Sequence, residues 1–186
     1  RLDLSMLKYR EVSVATPKRR PKTTKLRVGF LGRITAQKGL LDLLRAIDLL
    51  AGSIDISLVV AGPGDRALLR RMKLDPRVTI LGKLDPRQRS DFFDSIDVAC
   101  LPSYFEGFGH TFVEAIVAGC PVVATNVGVV TDILRLGGGV TTVPVGSPVA
   151  IATALADAQS DRAVARDRAE SAAAAFVRLA EECGVR

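Results

Sequence analysis

Short apolar runs alternate with amphipathic stretches along most of this chain. From residue 26 onward, runs of four to six mainly apolar residues predict β-strands, and apolar residues recur at helical spacing between them. The predicted strands span residues 26–31, 56–61, 78–81, 98–101, 122–125 and 140–143, of which the last has the weakest pattern. The predicted helices span residues 39–50, 66–73, 86–95, 111–118, 131–136, 148–158 and 162–182.

This alternation predicts an α/β fold, a doubly wound, Rossmann-like parallel sheet of about six strands. Strands that alternate with helices form parallel sheets covered on both faces, and near-continuous apolar strands are buried on both sides. Ligands of such sheets bind beyond the carboxyl ends of the strands. The candidate binding loops therefore begin at Gly32, Gly62, Gly82, Pro102 and Asn126.

Residues 1–24 differ in composition and predict a basic linker ahead of one domain over residues 25–186. Residues 1–27 carry nine Lys/Arg and two Asp/Glu, whereas the other 159 residues carry 17 basic and 18 acidic side chains. The net charge of +6 therefore comes from one short segment and argues against a nucleic-acid-binding surface on the domain. A solvated linker is the main interpretation of this segment. The alternative is contact with an anionic membrane surface or a partner.

The composition is that of a globular protein, with 48% hydrophobic residues and no apolar run near the ~20 residues of a membrane helix. The first residues lack the pattern of a signal peptide. Cys100, Cys120 and Cys183 are odd in number and far apart, which fits a reducing compartment better than a disulfide framework. We expect a cytoplasmic protein, peripheral at the inner face of the membrane if the basic segment binds lipid.

Two cations follow the first predicted strand. Arg33 and Lys38 lie five residues apart in a loop that runs from Gly32 to Gly39. They can converge on a diphosphate, because Arg supplies a fork of donors and Lys a compact charge. Ordinary surface cations are the simpler interpretation of this pair taken alone.

Glycines and carboxylates combine in the loop after the fourth predicted strand. Gly107 and Gly109 leave backbone amides open to a ligand at the start of a helix, where the helix dipole favours phosphate. Glu106 and Glu114 bracket this segment. Because carboxylates repel phosphate, we interpret them as acceptors for sugar or ribose hydroxyls. The alternative is that Glu106 caps the loop and Glu114 is an exposed helical charge.

The segment 106–114 resembles the Glu-x7-Glu motif of retaining glycosyltransferases of family 4, which have the GT-B fold. The resemblance covers roughly residues 25 to 160 and implies the C-terminal, donor-binding domain of such an enzyme. Further matching segments, in the family's order, are residues 32–33, 38–39, 62–64, 97–103 and 114–125.

The resemblance implies catalytic roles for Arg33, Lys38 and Glu106. Arg33 and Lys38 would bind the donor diphosphate and stabilise charge on the departing nucleotide. Glu106 would hold hydroxyls of the transferred sugar. In such enzymes the anomeric configuration is retained, and the Arg/Lys pair usually replaces a metal ion.

The other implied contacts are to the donor, a nucleoside diphosphate sugar. Glu114 would hold the ribose, the amides of residues 107–109 would contact sugar or phosphate, and the base would lie near residues 82–84. The predicted donor-binding residues are Gly32, Gly82, Lys83, Leu84, Gly107, Phe108, Gly109 and Glu114. We expect no cofactor and no metal site, since the chain has one His and no paired acids at ligand spacing.

Three features depart from the family's pattern. Residues 129–132 replace a glycine and a Pro-Glu pair, which leaves the contacts of that loop open. His110 stands at a position that is more often apolar, and we interpret it as structural rather than catalytic. Nothing before Leu26 could form the family's N-terminal acceptor domain, so we expect a fragment of a larger enzyme or one half of a naturally split enzyme.

Three functions are compatible with these observations. The first is the donor-binding half of a glycosyltransferase, inactive without its acceptor domain. The second is a stand-alone module that binds nucleotide sugar without transferring it. The third is an interaction protein that docks through its basic segment. The combination of Arg33, Lys38, Glu106 and Glu114 favours the first two.

Overall fold

A computed structural model describes residues 24–135 and 139–182 of the chain. The strands are β1 (Leu26–Leu31), β2 (Ile56–Ala61), β3 (Val78–Gly82), β4 (Val98–Leu101), β5 (Val122–Thr125) and β6 (Val140–Val143). The helices are α1 (Leu40–Leu49), α2 (Arg66–Met72), α3 (Pro86–Ser95), α4 (His110–Val117), α5 (Val130–Arg135), α6 (Pro148–Ser160) and α7 (Arg162–Glu182). The predicted fold class, a doubly wound α/β sheet of six strands, is confirmed.

The six strands form one parallel sheet in the order β3-β2-β1-β4-β5-β6. The order reverses between β1 and β4, because the chain builds outward from β1 to β3 and then returns to the other side of β1. The loops after β1 and β4 therefore leave the sheet side by side and open a crevice at its carboxyl edge.

Two apolar layers cover the sheet. One contains buried side chains of α3, α4, α5 and α7, including Phe92, Phe112 and Phe176. The other contains buried side chains of α1 and α6, including Leu43 and Ile151. All residues of β4 and β5 are buried, as are all residues of β1 except Arg27, because helices cover both faces of the sheet.

Short polar residues begin several helices. Asp85 and Gln88 form a capping box at α3, in which each side chain bonds the other residue's backbone N–H at 2.9 Å. Asp65 accepts a hydrogen bond from Leu68 N at the start of α2, and Ser147 caps α6. These caps set where the helices start after the strand-to-helix loops.

The predicted element bounds differ from the structure by one or two residues. The predicted helix 39–50 is preceded by a short 3-10 helix, Ala36–Lys38, and Gly39 separates the two with φ of 69°. A left-handed glycine ends one helix and lets the next start in a new direction. Helix α6 runs to Ser160, two residues beyond its prediction.

Some predictions fall on residues outside the described ranges. These are nearly all of the linker 1–24 with its basic cluster, the end of the predicted helix 131–136, and Cys183. Within the described residues, no helix has the length and apolar character required to cross a membrane.

An ion-pair cluster fastens the start of β3 to the end of α1. Arg77 donates to Asp75 Oδ2 at 2.6 Å and to Asp48 Oδ1 at 2.5 Å. The hydrogen bond from Arg77 lowers the pKa of the Asp75 carboxyl. This edge strand is therefore tied to the first helix as well as to β2.

Candidate functional site

The loops after β1 and β4 meet at the carboxyl edge of the sheet. Tyr104 N donates to Gln37 O at 2.8 Å, which joins the two loops through their backbones. A Cβ at Gly39 would overlap the carbonyl oxygen of Pro102. Gly39 therefore permits a backbone approach that any other residue would prevent, and it keeps Lys38 beside the β4 loop.

The loops after β1 and β2 are equally close. Ile34 N donates to Pro63 O at 2.8 Å, and a Cβ at Gly62 would overlap the carbonyl oxygen of Gly32. Gly62 N also donates to Gly82 O at 2.7 Å, which joins the β3 loop to the same group. Four loops thus form one continuous wall at the carboxyl ends of β1 to β4.

These loops enclose a cleft of about 650 Å³. Four cationic side chains line it, and so do the glycine segment of the β4 loop and the start of α4. The lining residues are Leu31, Gly32, Arg33, Lys38, Gly62, Pro63, Lys83, Leu84, Arg89, Glu106, Gly107, Phe108, Gly109, His110 and Thr111. A cleft of this size fits a small ligand, and its cations favour an anionic one.

Lys38 and Glu106 form an ion pair inside the cleft. Lys38 Nζ lies 2.6 Å from Glu106 Oε1, and both side chains are less than one-fifth exposed. The hydroxyl of buried Ser103 donates to the same carboxylate oxygen at 2.8 Å. Ser103 is fixed in turn, because its carbonyl accepts a hydrogen bond from Thr125 Oγ1. Glu106 is therefore held in one orientation rather than capping the loop.

The glycine segment, residues 107–109, lines the cleft just before α4. Gly109 precedes α4 with φ of 95°, and no side chain caps the first turn of that helix. A Cβ at Gly107 would meet no atom within 4 Å, so this residue faces open space. Uncapped amides at a helix N-terminus attract anions.

The loop that departs from the family's pattern supports this segment from behind. Val129 N donates to Phe108 O at 2.9 Å, and Val129 and Val130 are buried. Gly128 packs so closely on the segment that a Cβ there would approach Phe108 O and Glu106 Cβ within 3 Å. Residues 129 and 130 therefore supply packing beneath this segment.

Glu114 forms an ion pair that the sequence did not suggest. Its Oε1 accepts a hydrogen bond from Arg89 Nη1 at 2.7 Å, and its side chain is only 10% exposed. Glu114 is thus not an exposed helical charge, nor is it among the residues that line the cleft. Arg89 does line the cleft. It therefore connects Glu114, the residue predicted to hold the ribose, to that space.

The sequence reasoning missed Arg89. One sequence signal pointed to Arg89. It lies on the helix α3 that directly follows Lys83 and Leu84, the loop predicted to hold the base. Arg87 lies on the same helix, and the sequence alone gave no reason to prefer either residue. Contact with a residue 25 positions away decides between them.

Gly82 and His110 occupy different positions relative to the cleft. Gly82 does not line the cleft and instead lines a neighbouring groove with Arg66, Arg70 and Lys73, although its carbonyl is bonded to the β2 loop. His110 is exposed at the mouth of the cleft, with its ring 5.1 Å from that of Phe108. Its role stays a prediction.

Within the described ranges, no three His, Cys, Asp or Glu side chains come together as a metal site would require. The buried Cys100 has a raised pKa because burial disfavours its thiolate, so this thiol is not a nucleophile at neutral pH. The polar side chains that line the cleft are those of Arg33, Lys38, Lys83, Arg89, Glu106, His110 and Thr111.

The sheet order defines an α/β domain of the doubly wound class, and the cation-lined cleft lies where that order reverses, between β1 and β4. The chain belongs to the glycosyl transferases group 1 family, whose model matches residues 25–161. Among curated proteins it is similar to the phosphatidyl-myo-inositol mannosyltransferase of Mycobacterium leprae, with 36% identity over 154 residues. That match covers 80% of this chain and 41% of the relative. The chain spans less than half the length of the curated relatives it matches.

Two solved structures have the same fold. The C-terminal domain of the group 1 glycosyl transferase LpcC from Francisella tularensis aligns with a TM-score of 0.69 and 25% identity, covering 82% of this chain and 85% of that one. The Anabaena protein HepE, solved with UDP and glucose, aligns with a TM-score of 0.71 and 20% identity. That alignment covers 88% of this chain and 49% of HepE, and at this identity it shows the fold alone.

Proposed function

We propose that this chain is the C-terminal, donor-binding domain of a retaining glycosyltransferase whose donor is a nucleoside diphosphate sugar. Family membership supports transfer of a sugar. The similarity to a domain of LpcC that is itself C-terminal, and the span of less than half of the curated relatives, support a second, acceptor-binding domain elsewhere. The chain alone then binds the donor and transfers little or no sugar.

One observation carries the proposal: Arg33, Lys38 and the glycine segment that leads into the uncapped start of α4 line the same cleft. A diphosphate placed there neutralises both cations and satisfies free N–H donors. As the bond between sugar and phosphate breaks, negative charge grows on the departing diphosphate. Arg33 and Lys38 stabilise that charge, and so lower the barrier without a metal ion.

The two carboxylates divide the remaining contacts. Glu106 lies beside Lys38 and accepts hydrogen bonds from hydroxyls of the sugar, next to the diphosphate. Glu114, held by Arg89, accepts from the ribose hydroxyls. Lys83 and Leu84 border the base. The nucleotide then extends from the glycine segment toward the β3 side of the sheet.

Calorimetry tests the binding part of the proposal. We expect this chain to bind UDP, GDP or ADP, and Arg33→Ala and Lys38→Ala each to weaken the preferred nucleotide by roughly tenfold or more, since charge-assisted contacts contribute ~1.5–3 kcal/mol. Arg71→Ala is the matched control, because Arg71 is an exposed cation on α2 that does not line the cleft. Absence of binding to all three nucleotides would refute the donor-domain proposal.

Transfer measurements test the rest. Robust transfer to an acceptor by this chain alone would contradict the separate acceptor domain. A stand-alone binding module also binds nucleotides, so sugar transfer by a longer enzyme that contains this sequence separates the two functions. The anomeric configuration of that product, determined by NMR, tests retention.

A further inference from the structure

Arg89 has a fixed place at one end of the cleft. It lies near the start of α3, a helix that begins at the Asp85 capping box. The buried Phe92 and Phe93 follow three and four residues later, on the same face of the helix, and anchor that face in the core. Its side chain is 40% exposed and lines the cleft beside Lys83 and Leu84. The backbone around Arg89 is therefore rigid, and its guanidinium borders the ligand space.

The ion pair with Glu114 is not a fully satisfied structural bridge. Arg89 Nη1 bonds Glu114 Oε1 at 2.7 Å, whereas Arg89 Nε is buried and has no hydrogen-bond partner among the described residues. Buried ion pairs that serve only stability satisfy their remaining donors as well. This pair joins α3 to α4 through one hydrogen bond and leaves the rest of the guanidinium beside the cleft.

The loop before α3 and the loop that carries the two cations of the diphosphate end follow different strands. The loop that carries Arg33 and Lys38 leaves β1, whereas α3 follows β3, and β2 separates these strands. Two strand spacings put the two loop origins about 10 Å apart along the sheet edge. That distance corresponds to the step from a diphosphate to a nucleoside. It assigns the loop of Lys83 and Leu84, with which Arg89 lines the cleft, to the nucleoside end.

We propose that Arg89 is a positioning residue for the nucleoside half of the donor. Its guanidinium orients the Glu114 carboxylate so that it accepts hydrogen bonds from the ribose hydroxyls. This inference rests on the proposed donor-binding function, and it separates residues that recognise the nucleoside from those that recognise the phosphates.

Calorimetry with three probes tests it. The probes are the nucleoside diphosphate that the wild-type chain binds best, its 2′,3′-dideoxy form, and inorganic pyrophosphate. We expect Arg89→Gln to weaken the nucleoside diphosphate by about tenfold and to change pyrophosphate affinity by less than about twofold. The wild-type preference for the nucleotide over its dideoxy form should disappear in Arg89→Gln and return in part in Arg89→Lys.

A matched control is Arg87→Gln, since Arg87 is exposed on the same helix, does not line the cleft and makes no ion pair in the described part of the chain. Equal weakening of nucleotide and pyrophosphate by Arg89→Gln would overturn the proposal, because it would show a general charge effect. A lower melting temperature with unchanged nucleotide affinity would also overturn it, because it would show that the Arg89–Glu114 ion pair has only a structural role.

The same measurements separate this inference from the proposed function. If the wild-type chain binds pyrophosphate but no nucleotide, the proposed function fails together with this inference. If it binds nucleotide and Arg89→Gln changes nothing, only this inference fails.

Discussion

At the scale of single residues, Glu106 is the most constrained group in the cleft. One of its carboxylate oxygens accepts hydrogen bonds from both Lys38 and Ser103. Its negative charge therefore lies next to a cation that the proposed function assigns to the diphosphate. Under the proposed function, the donor diphosphate competes with Glu106 for Lys38, and hydroxyls of the sugar then replace the hydrogen bond that Glu106 loses.

This arrangement predicts a separation of binding from transfer in Glu106→Gln. The amide keeps the size of the side chain but removes a negative charge beside the diphosphate site. We expect pyrophosphate affinity to rise by roughly three- to tenfold, as for removal of ~1 kcal/mol of repulsion, while transfer by the longer enzyme falls. Calorimetry measures the first effect. Glu114→Gln is the control, because Arg89 already neutralises that carboxylate; an unchanged or lower pyrophosphate affinity in Glu106→Gln would contradict the assignment.

At the scale of elements, helix starts and glycine contacts determine where the site residues lie. Helix α3 begins at its capping box and carries Arg89, and α4 begins at Gly109 and carries Glu114. A shift of either helix by one residue would rotate its side chains by about 100° and separate the ion pair. The local hydrogen bonds of the α3 capping box thus help to place Arg89 against Glu114, a residue 25 positions away.

The capping box gives the second prediction. Asp85→Ala leaves the backbone N–H of Gln88 without its acceptor. The free energy of unfolding, measured by urea denaturation, should therefore fall by about 1 kcal/mol. Asp91→Ala is the control, since Asp91 is exposed on the same helix and makes no described ion pair; its effect should stay within about 0.5 kcal/mol. Equal stability of the two variants would mean that the cap does not determine the start of α3.

At the scale of the whole molecule, the fold includes more than the matched family segment. The family model ends at residue 161, yet α7 follows it and packs on α4. Phe176 of α7 is 1% exposed and belongs to the same apolar layer as Phe112 of α4. Helix α7 thus supports the helix that carries Glu114.

Helix α7 should therefore contribute strongly to stability. Phe176→Ala removes a buried ring and leaves a cavity, so we expect the free energy of unfolding to fall by ~3–5 kcal/mol. Arg178→Ala, at an exposed position of the same helix, should have little effect. Thermal unfolding followed by circular dichroism compares the two; a loss below about 1 kcal/mol for Phe176→Ala would show that α7 is not part of the cooperative unit.

The pattern of the chain by itself determined the elements and the binding loops. Apolar runs and helical spacing are local signals, so all six strands lie where they were predicted and helix ends differ by one or two residues. The cations and glycines after β1 and β4 were also visible in the sequence. They became candidates for a binding site because parallel α/β sheets bind ligands at the carboxyl ends of their strands. The roles of Arg33, Lys38, Glu106 and Glu114 stay predictions.

Only the tertiary structure decided which of these groups meet. The order β3-β2-β1-β4 brings the β1 loop against the β4 loop, so Lys38 reaches a carboxylate 68 residues away. Helix packing joins Arg89 to Glu114, whereas Gly82, at the end of β3, lines a neighbouring groove. Such contacts depend on strand order and on the rotation of each helix about its axis. Neither quantity is encoded in local spacing, because both result from how two apolar layers pack on one sheet.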